Sequence, residues 1–553
     1  MFLRSSPILC FIFALAACGS VPPTALLVYG GDIVTGSTLD STVEAMLVRD
    51  GRVLAVGDYS ELSQHSDQLE ALDLKGATVL PGIVDSHAHV RELGTDAVKA
   101  NLVGVRNTQQ MVRRLQEKFP DPEPGTWLVG QGWDEGAFAS TGYPDRMALD
   151  NAYPNNPIYL ESLHGFASFV NGRALEIAGI DRDTPDPEVG QILKRVSGDP
   201  SGVLLTLAQG LVSRHVPPFT QAQVESAIVA GLTTMAKAGV TSVHEAGMKP
   251  LDVAAYLNLA EAGQLPIRVY GLLDGNNEPL MQEWFARGKY ERDDAMLAIR
   301  GIKVFYDGSL GSRTAMLRAA YSDKPDEARP TERITPAAVR SLADRAVDRG
   351  FQMAVHAIGD EGNDRTLGIY ERSLEVAPDV DHRWRIEHAQ VVLPDFFDRA
   401  ARLKVISSVQ SSHAVGDSVW AELRLGPERI RYAYAWQRLL GAGAPLILNS
   451  DLPGEPWTPM ETLYFAVNRM NRQGFPAGGW YPDQALSVSE ALHAMTLAGA
   501  HSAFQDQQIG SLEPGKMADF VVLSANPLKI DQAKLADIAV LSTWVAGKPV
   551  KPE

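Results

Sequence analysis

Cysteine is nearly absent: among 553 residues only Cys10 and Cys18 occur, both within the first eighteen positions. No disulfide framework can brace the remainder of the chain, so its stability must come from packing. Basic blocks are missing as well. The formal charge of −17 is spread along the sequence, and no stretch of lysine and arginine is available to neutralise a phosphate backbone, which makes nucleic acid a poor partner. Short-period repeats and low-complexity tracts are also lacking. What is there, 45% hydrophobic and 21% charged residues, fits a folded globular protein of more than one structural unit.

The first twenty residues, MFLRSSPILCFIFALAACGS, carry one arginine, an apolar stretch too short to span a bilayer comfortably, and then small residues. That order is the order of an export signal. LAAC at 15–18 resembles the lipobox of bacterial lipoproteins, which implies a signal peptide over 1–17 and acylation of Cys18. An ordinary signal peptide with a chance cysteine is the alternative. Several acyl chains bury enough methylene groups for stable anchoring, whereas one does not. The expectation is an exported chain, lipid-anchored to a bacterial membrane on its periplasmic or cell-surface side.

After a linker over 18–24, ALLVYGGDIVTG and EAMLVRDGRVLAVGD read as strands, the second folded about the hairpin dipeptide Asp50-Gly51. The far end repeats the style in MADFVVLSANP and AVLSTWVAGKPVK. Two β-rich ends, 25–80 and 505–553, therefore flank everything else. Between them helix and strand alternate, which argues for parallel strands joined by helical crossovers. One unit starts at Thr335-Pro336, an N-cap followed by proline, stops at Gly350 and passes into FQMAVHA. Strand candidates end near residues 87, 161, 244, 305, 356, 388, 409 and 451. Eight of them suggest a (β/α)8 barrel over 81–504, an α/β fold. The interval from about 92 to 220 is too long for one crossover and reads as an insertion able to cover the barrel mouth.

A barrel gathers the carboxyl ends of its strands around one mouth, where catalysis sits. His87, His89, His244, Lys303, His356, His388 and Asp451 all fall at such ends, and only twelve histidines exist in the whole chain. One histidine on an apolar strand is usually a hydrogen-bonded core residue. The same feature repeated at several strands favours a metal, because neutral imidazole and carboxylate are what zinc and its neighbours bind.

DSHAH, a strand-borne lysine, VHAIGD, IEHAQ and NSD together resemble the metal-dependent amidohydrolase superfamily. KVFYDGSLGSRTA with VHAIGD and SDLP is similar to the branch of YtcJ-like hydrolases and N-substituted formamide deformylases. The resemblance implies that the two terminal segments form a composite β-sandwich beside the barrel. It also implies two divalent metal ions, with zinc the default: His87 and His89 on one, His356 and His388 on the second, Asp451 on the first together with a bridging water. A lysine ammonium would repel two cations, so Lys303 fits only when deprotonated or converted by CO2 into a bridging carbamate; an ion-paired Lys303 beside one metal is the alternative. The implied chemistry is attack by a hydroxide shared between metals about 3.5–4 Å apart on a small-molecule substrate, with Asp451 as general base and then general acid.

His164, Asp307, Arg313, His413 and Trp133 are weaker candidates for substrate contact; for each, a structural role competes. His244 is not assigned as a ligand, and His65, His215, His382, His493 and His501 read as structural. The leading expectation is hydrolysis of an amide, N-acyl or N-formyl C–N bond. A mononuclear deaminase or cyclic-amide hydrolase of the same superfamily is a second reading, and a surface-anchored metal-binding protein without turnover a third. Homo-oligomerisation is open.

Overall fold

The computed structural model describes residues 24–38, 41–65, 68–133, 143–162, 167–187, 190–327 and 329–551. The export signal and Cys18 lie outside them. Eight strands form a parallel sheet in sequence order: β1 Ile83–Ala88, β2 Val240–Met248, β3 Arg268–Asp274, β4 Leu297–Phe305, β5 Gln352–Ala357, β6 Arg385–His388, β7 Ile406–Gln410 and β8 Leu446–Asn449. The two edges of this sheet approach each other at their carboxyl ends. Asp451 donates its backbone N–H to His87 O at 2.9 Å and His89 donates to Leu452 O at 3.1 Å, so β8 meets β1 and the sheet nearly closes into a (β/α)8 barrel.

One strand expected from the sequence belongs elsewhere. Ile158–Ser162, read as the second barrel strand, pairs with Leu128–Trp133 and Ala167–Val170 in a separate six-stranded sheet built from residues 100–205. Its apolar run shows that it is a strand but carries nothing about which sheet it joins. The barrel strand missed is β3, RVYGLLD. It opens on an arginine and contains a glycine, both of which weaken a strand signature. Arg268 is fully buried there, and its guanidinium is paired with Asp519 at 2.6 Å.

The crossover helices follow their local chemistry. Pro336–Arg349 is capped by the Thr335 hydroxyl, which accepts the Ala338 N–H at 3.2 Å, and ends at Gly350 with φ 70°. Gln221–Lys237 opens with a reciprocal Thr220/Gln223 capping box. The two chain ends combine in one eight-stranded sheet, in which Phe520–Leu523 runs antiparallel to Thr78–Pro81. The Asp50-Gly51 turn sits between strands Thr42–Arg49 and Arg52–Gly57 with φ of 51° and 77°, the left-handed pair that a tight hairpin needs. Val28, Met46, Val79 and Phe520 fill one core of this sheet. The insertion has its own, with Met111, Leu115, Leu128, Trp133 and Phe169.

Candidate metal centre

The barrel delivers its polar residues to one place. His87 ends β1, His89 follows it, His388 ends β6 and Asp451 lies just past β8. His388 and Asp451 both adopt left-handed backbone, with φ of 76° and 53°. Non-glycine residues hold such angles at a cost of about 1–3 kcal/mol, and do so where the surroundings require a particular side-chain direction. Asp451 is the hub. Its Oδ1 lies 3.4 Å from His87 Nε2 and 3.3 Å from His89 Nε2, while its Oδ2 lies 3.6 Å from His413 Nε2 and 3.9 Å from His388 Nδ1. Among the described residues, His87, His89 and Asp451 form one group of donor atoms within 4.8 Å of one another, and His388, His413 and Asp451 form a second.

Lys303, fully buried on β4, places Nζ 3.1 Å from His87 Nε2. His87 Nδ1 meets Glu387 Oε2 at 2.5 Å. Glu387, ionised, only accepts, so His87 carries its proton on Nδ1 and is left with its lone pair on Nε2. The His356 ring packs 4.5 Å from that of His388, and its Nε2 is 3.1 Å from Gly308 O, which leaves Nδ1 as its lone-pair nitrogen.

The electrostatics suit cation binding. Burial, with Lys303 close by, depresses His87 to about 4 and His356 to about 3. Burial holds His388 well below the usual imidazole range. Burial alone would raise Asp451, but His87, His89, His388 and His413 keep it well below the carboxylate range. His87, His356 and His388 are thus neutral imidazoles facing an ionised carboxylate, the protonation states that divalent metals require; burial would lower His89 too, but its bond to Asp451 raises it, so a cation there has to displace that proton. Burial also lowers Lys303 to about 8. The donor set fits divalent cations in its chemistry, and the sum of its parts, three imidazoles held neutral, a carboxylate and a depressed lysine, would be hard to stabilise in a purely structural core.

Other sequence candidates fall differently. His413, expected near substrate, sits in the helix Ser411–Asp417 after β7 and stacks on His388 at 5.9 Å, inside the centre. Asp307 is fully buried and accepts backbone N–H groups from Met316, Ile358 and Gly359 at 2.9–3.0 Å. It organises the loop after β4 rather than facing an open space. Arg313 is paired with Asp323 at 2.5 Å. Trp133 is not at the site: it is fully buried in the insertion core, donating its indole N–H to Leu160 O at 3.0 Å. An indole in an apolar strand satisfies itself by packing more readily than by waiting for a ligand. His164 lies outside the described residues. His244 is buried and turned to Arg385, 2.8 Å from its guanidinium. His382 bonds Leu403 O and the Trp384 N–H in a loop.

Sequence reasoning passed over Glu387, although it stands inside the quoted IEHAQ. A carboxylate next to an apparent ligand histidine, on a strand whose neighbours are apolar, was the available signal. Burial would raise Glu387, but Arg385 and His87 hold it well below the usual range. Asp85 of DSHAH was also missed; it accepts the Ser450 N–H at 3.1 Å and the Ser450 hydroxyl at 2.5 Å and so ties β1 to β8.

A cavity of about 1190 Å³ lies past the carboxyl ends of β1, β2 and β8, though none of the centre's imidazoles, nor Asp451, lines it. It is lined by Arg91 after β1, Lys249 after β2 and Trp457 after β8, by Gln131 and Glu161 of the insertion sheet, and by Phe219. The insertion therefore faces the barrel mouth. A second cavity, of about 570 Å³, lies at the amino-terminal ends of β7 and β8 near His493 and His501, at the opposite end from Asp451.

A near-closed parallel barrel with histidines, a lysine and an aspartate converging at the carboxyl ends of its strands defines the class of metal-dependent (β/α)8 hydrolases. The chain belongs to the amidohydrolase family, whose model matches residues 70–551. It is 32% identical over 550 residues to Protein LONG AFTER FAR-RED 3 of Arabidopsis thaliana, covering 95% of this chain and 91% of that one. It is 30% identical to the putative amidohydrolase YtcJ of Bacillus subtilis, covering 94% and 98%. To N-substituted formamide deformylase of Arthrobacter pascens it is 27% identical, covering 94% and 97%. A solved structure of an uncharacterized metal-dependent hydrolase from Pyrococcus furiosus superposes with a TM-score of 0.75 at 28% identity, covering 91% of this chain and all of that one.

Proposed function

We propose that this hydrolase cleaves a C–N bond of amide, N-acyl or N-formyl type in a small molecule, with Asp451 moving the proton. The observation that carries the reading is the position of Asp451, one of whose oxygens faces the imidazoles at the end of β1 and the other those at the ends of β6 and β7. The similarity to a formamide deformylase over nearly the whole of both chains supports the bond class.

His87 and His89 would hold one divalent cation with Asp451, and His356 and His388 a second, with zinc the default. Such cations acidify water toward neutrality and withdraw charge from a carbonyl oxygen. His413, so near Asp451 Oδ2, orients the substrate or the carboxylate. Asp451, ionised at neutral pH, accepts a proton from the attacking water. The water oxygen adds to the carbonyl carbon, and Asp451 returns the proton to the leaving nitrogen as the C–N bond breaks, giving acid and amine.

Lys303 is suited to a carbamate. Its neutral amine would add to CO2 and release one proton, and the resulting anion removes the repulsion that an ammonium would exert on cations. With Lys303 at about 8, roughly one amine in ten is neutral at pH 7, against about one in 3,000 for an ordinary lysine.

The test is a panel of N-formyl, N-acyl and cyclic amides assayed with the purified chain, alongside metal analysis. Metal-dependent release of amine with about two equivalents of metal per chain is the expected result. One equivalent with ammonia release would favour the mononuclear deaminase instead, and inactivity on the whole panel in metal-replete protein would overturn the reading.

A further inference from the structure

Beneath the centre a continuous hydrogen-bonded belt runs across β6, β7 and β8. His388 Nδ1 lies 2.9 Å from Gln410 Oε1; Gln410 Nε2 donates to Asn449 Oδ1 at 2.8 Å; Asn449 Nδ2 donates to Ser408 Oγ at 2.9 Å; and Ser408 Oγ donates to Glu387 Oε2 at 2.6 Å. The same Glu387 oxygen takes the proton of His87 Nδ1. All five side chains between and including His388 and Glu387 are buried, with at most 5% exposure.

The directions of these bonds are forced from one end. Arg385, fully buried, can only donate, and its Nε fills Glu387 Oε1 at 2.6 Å. A carboxylate paired with a guanidinium only accepts. Ser408 must therefore spend its single proton on Glu387, and can only accept from Asn449. That turns the Asn449 amide nitrogen to Ser408 and its carbonyl to Gln410. Gln410 in turn presents its nitrogen to Asn449 and, at 3.3 Å, to the Ser408 backbone carbonyl, and its own carbonyl to His388, which has to carry its proton on Nδ1. At His87 the same acceptor-only Glu387 takes the Nδ1 proton directly, with Lys303 Nζ 3.1 Å from Nε2 on the other side.

We propose that this belt sets the tautomers of His87 and His388 together, so that Ser408, Asn449 and Gln410 are positioning residues for the centre although only Gln410 touches an imidazole of it. The charge of one buried Arg385–Glu387 pair thereby leaves Nε2 as the lone-pair nitrogen of both rings. The proposal rests on the reading of His87 and His388 as metal-holding residues only for its consequence; the tautomers themselves are read without metal.

The test is long-range proton–nitrogen NMR of the full chain labelled with 15N-histidine, as purified and after loading with Zn2+. The wild type is expected to show protonated Nδ1 at both His87 and His388. Asn449→Leu removes the shorter of the two bonds that hold the Gln410 amide nitrogen, Asn449 Oδ1 at 2.8 Å against Ser408 O at 3.3 Å, so a share of the Gln410 amide turns over, and a second His388 tautomer beside the first, with an unchanged His87, is expected. Should Asn449→Leu not fold, Ser408→Ala releases the Asn449 amide, which on turning over presents its nitrogen to Gln410 and reverses that amide as well, and it is read in the same way. Zn2+ affinity in chelator competition should fall about 10–100-fold in Gln410→Met, the usual effect of losing such a partner, and by less in Asn449→Leu. A wild-type His388 protonated on Nε2, or an His388 tautomer indifferent to both Asn449→Leu and Ser408→Ala, overturns the proposal. Failure of the wild type to bind Zn2+ would instead sink the metal reading while the tautomer result still judges the belt.

Discussion

Asp451 earns its role from position, because a carboxylate shared by imidazoles on two sides cannot be replaced by a group that binds without exchanging a proton. Asparagine keeps an oxygen in place and loses that exchange. Asp451→Asn is expected to retain much of the metal, measured by elemental analysis, and to lose at least ~100-fold in kcat, the scale of proton-transfer catalysis. Unchanged turnover would remove Asp451 from the mechanism. Lys303 makes a different prediction, with a definite sign. Burial lowers it to about 8, so its reactive neutral form grows as pH rises to that value and saturates above it. Recovery of activity in protein depleted of CO2 and metal, then given both at constant dissolved CO2, should quicken from pH 6.5 to 8 and level off beyond. A rate independent of pH over that range would exclude carbamate formation at Lys303. At this scale the sequence was readable where a residue type is scarce: histidines recurring at strand ends draw attention. Ser408, Gln410 and Asn449 do not, because VISSVQ and LILNSD read as strands with ordinary polar positions, and only the fold shows that these side chains point inward to one another.

The element that carries His89 is short, and its support comes from a neighbouring helix. His89 begins the four-residue helix Val90–Leu93, whose first N–H donates to the buried Glu245 carboxylate at 3.0 Å. The segment then lies against the helix Gln221–Lys237 with almost no separation. A Cβ on Gly94 would fall 2.6 Å from Gly231 N, and one on Gly231 would fall 2.9 Å from Val90 Cγ1 and closer still to Val90 O. Backbone cannot move aside as a flexible side chain does. Gly231→Ala is therefore expected to push this segment away, destabilising the protein by about 1–3 kcal/mol as overpacking does. Because the displaced segment starts at His89, metal affinity should fall as well, which thermal unfolding with and without added Zn2+ will report: the variant should recover less stability from the metal than the wild type. Elements of this kind mark the limit of pattern reading. A helix with a threonine cap and a terminal glycine, such as Pro336–Arg349, announces itself. β3 does not, since its opening arginine makes sense only once Asp519, 251 residues away, is known to meet it.

At the scale of the whole molecule that pair is the joint between barrel and terminal sheet. Arg268 on β3 is bonded by both Asp519 oxygens at 2.6 and 2.9 Å, and Asp519 also accepts the Ala546 N–H at 2.8 Å. Asp519→Ala leaves a guanidinium buried without its counter-charge and should cost about 3–5 kcal/mol. Replacing both partners with apolar residues, Arg268→Met with Asp519→Leu, should recover much of that loss in denaturant unfolding, since a buried pair is worth little beyond its own mutual compensation. If the double variant is no better than the single, the joint does more than cancel charge.

The sequence before residue 24 bears on where this assembly works. Among the described residues no helix is long and apolar enough to cross a membrane. We propose that Cys18 is acylated, and the barrel leaves the argument open to test because its folding uses no cysteine at all: Cys10 and Cys18 both precede it. Cys18→Ala can therefore change attachment without touching the core. Expressed in a bacterium that processes lipoproteins, the wild type should partition with membranes and incorporate labelled fatty acid, and Cys18→Ala should do neither, while purified material of both keeps the same kcat on any substrate the panel finds. Two or more acyl chains bury enough methylene groups, at about 0.8 kcal/mol each, to make the wild-type attachment resistant to high salt. A Cys18→Ala protein that still sediments with membranes, or a wild type released by salt alone, would show that the LAAC sequence is an ordinary cleavage site and that the cysteine is there by chance.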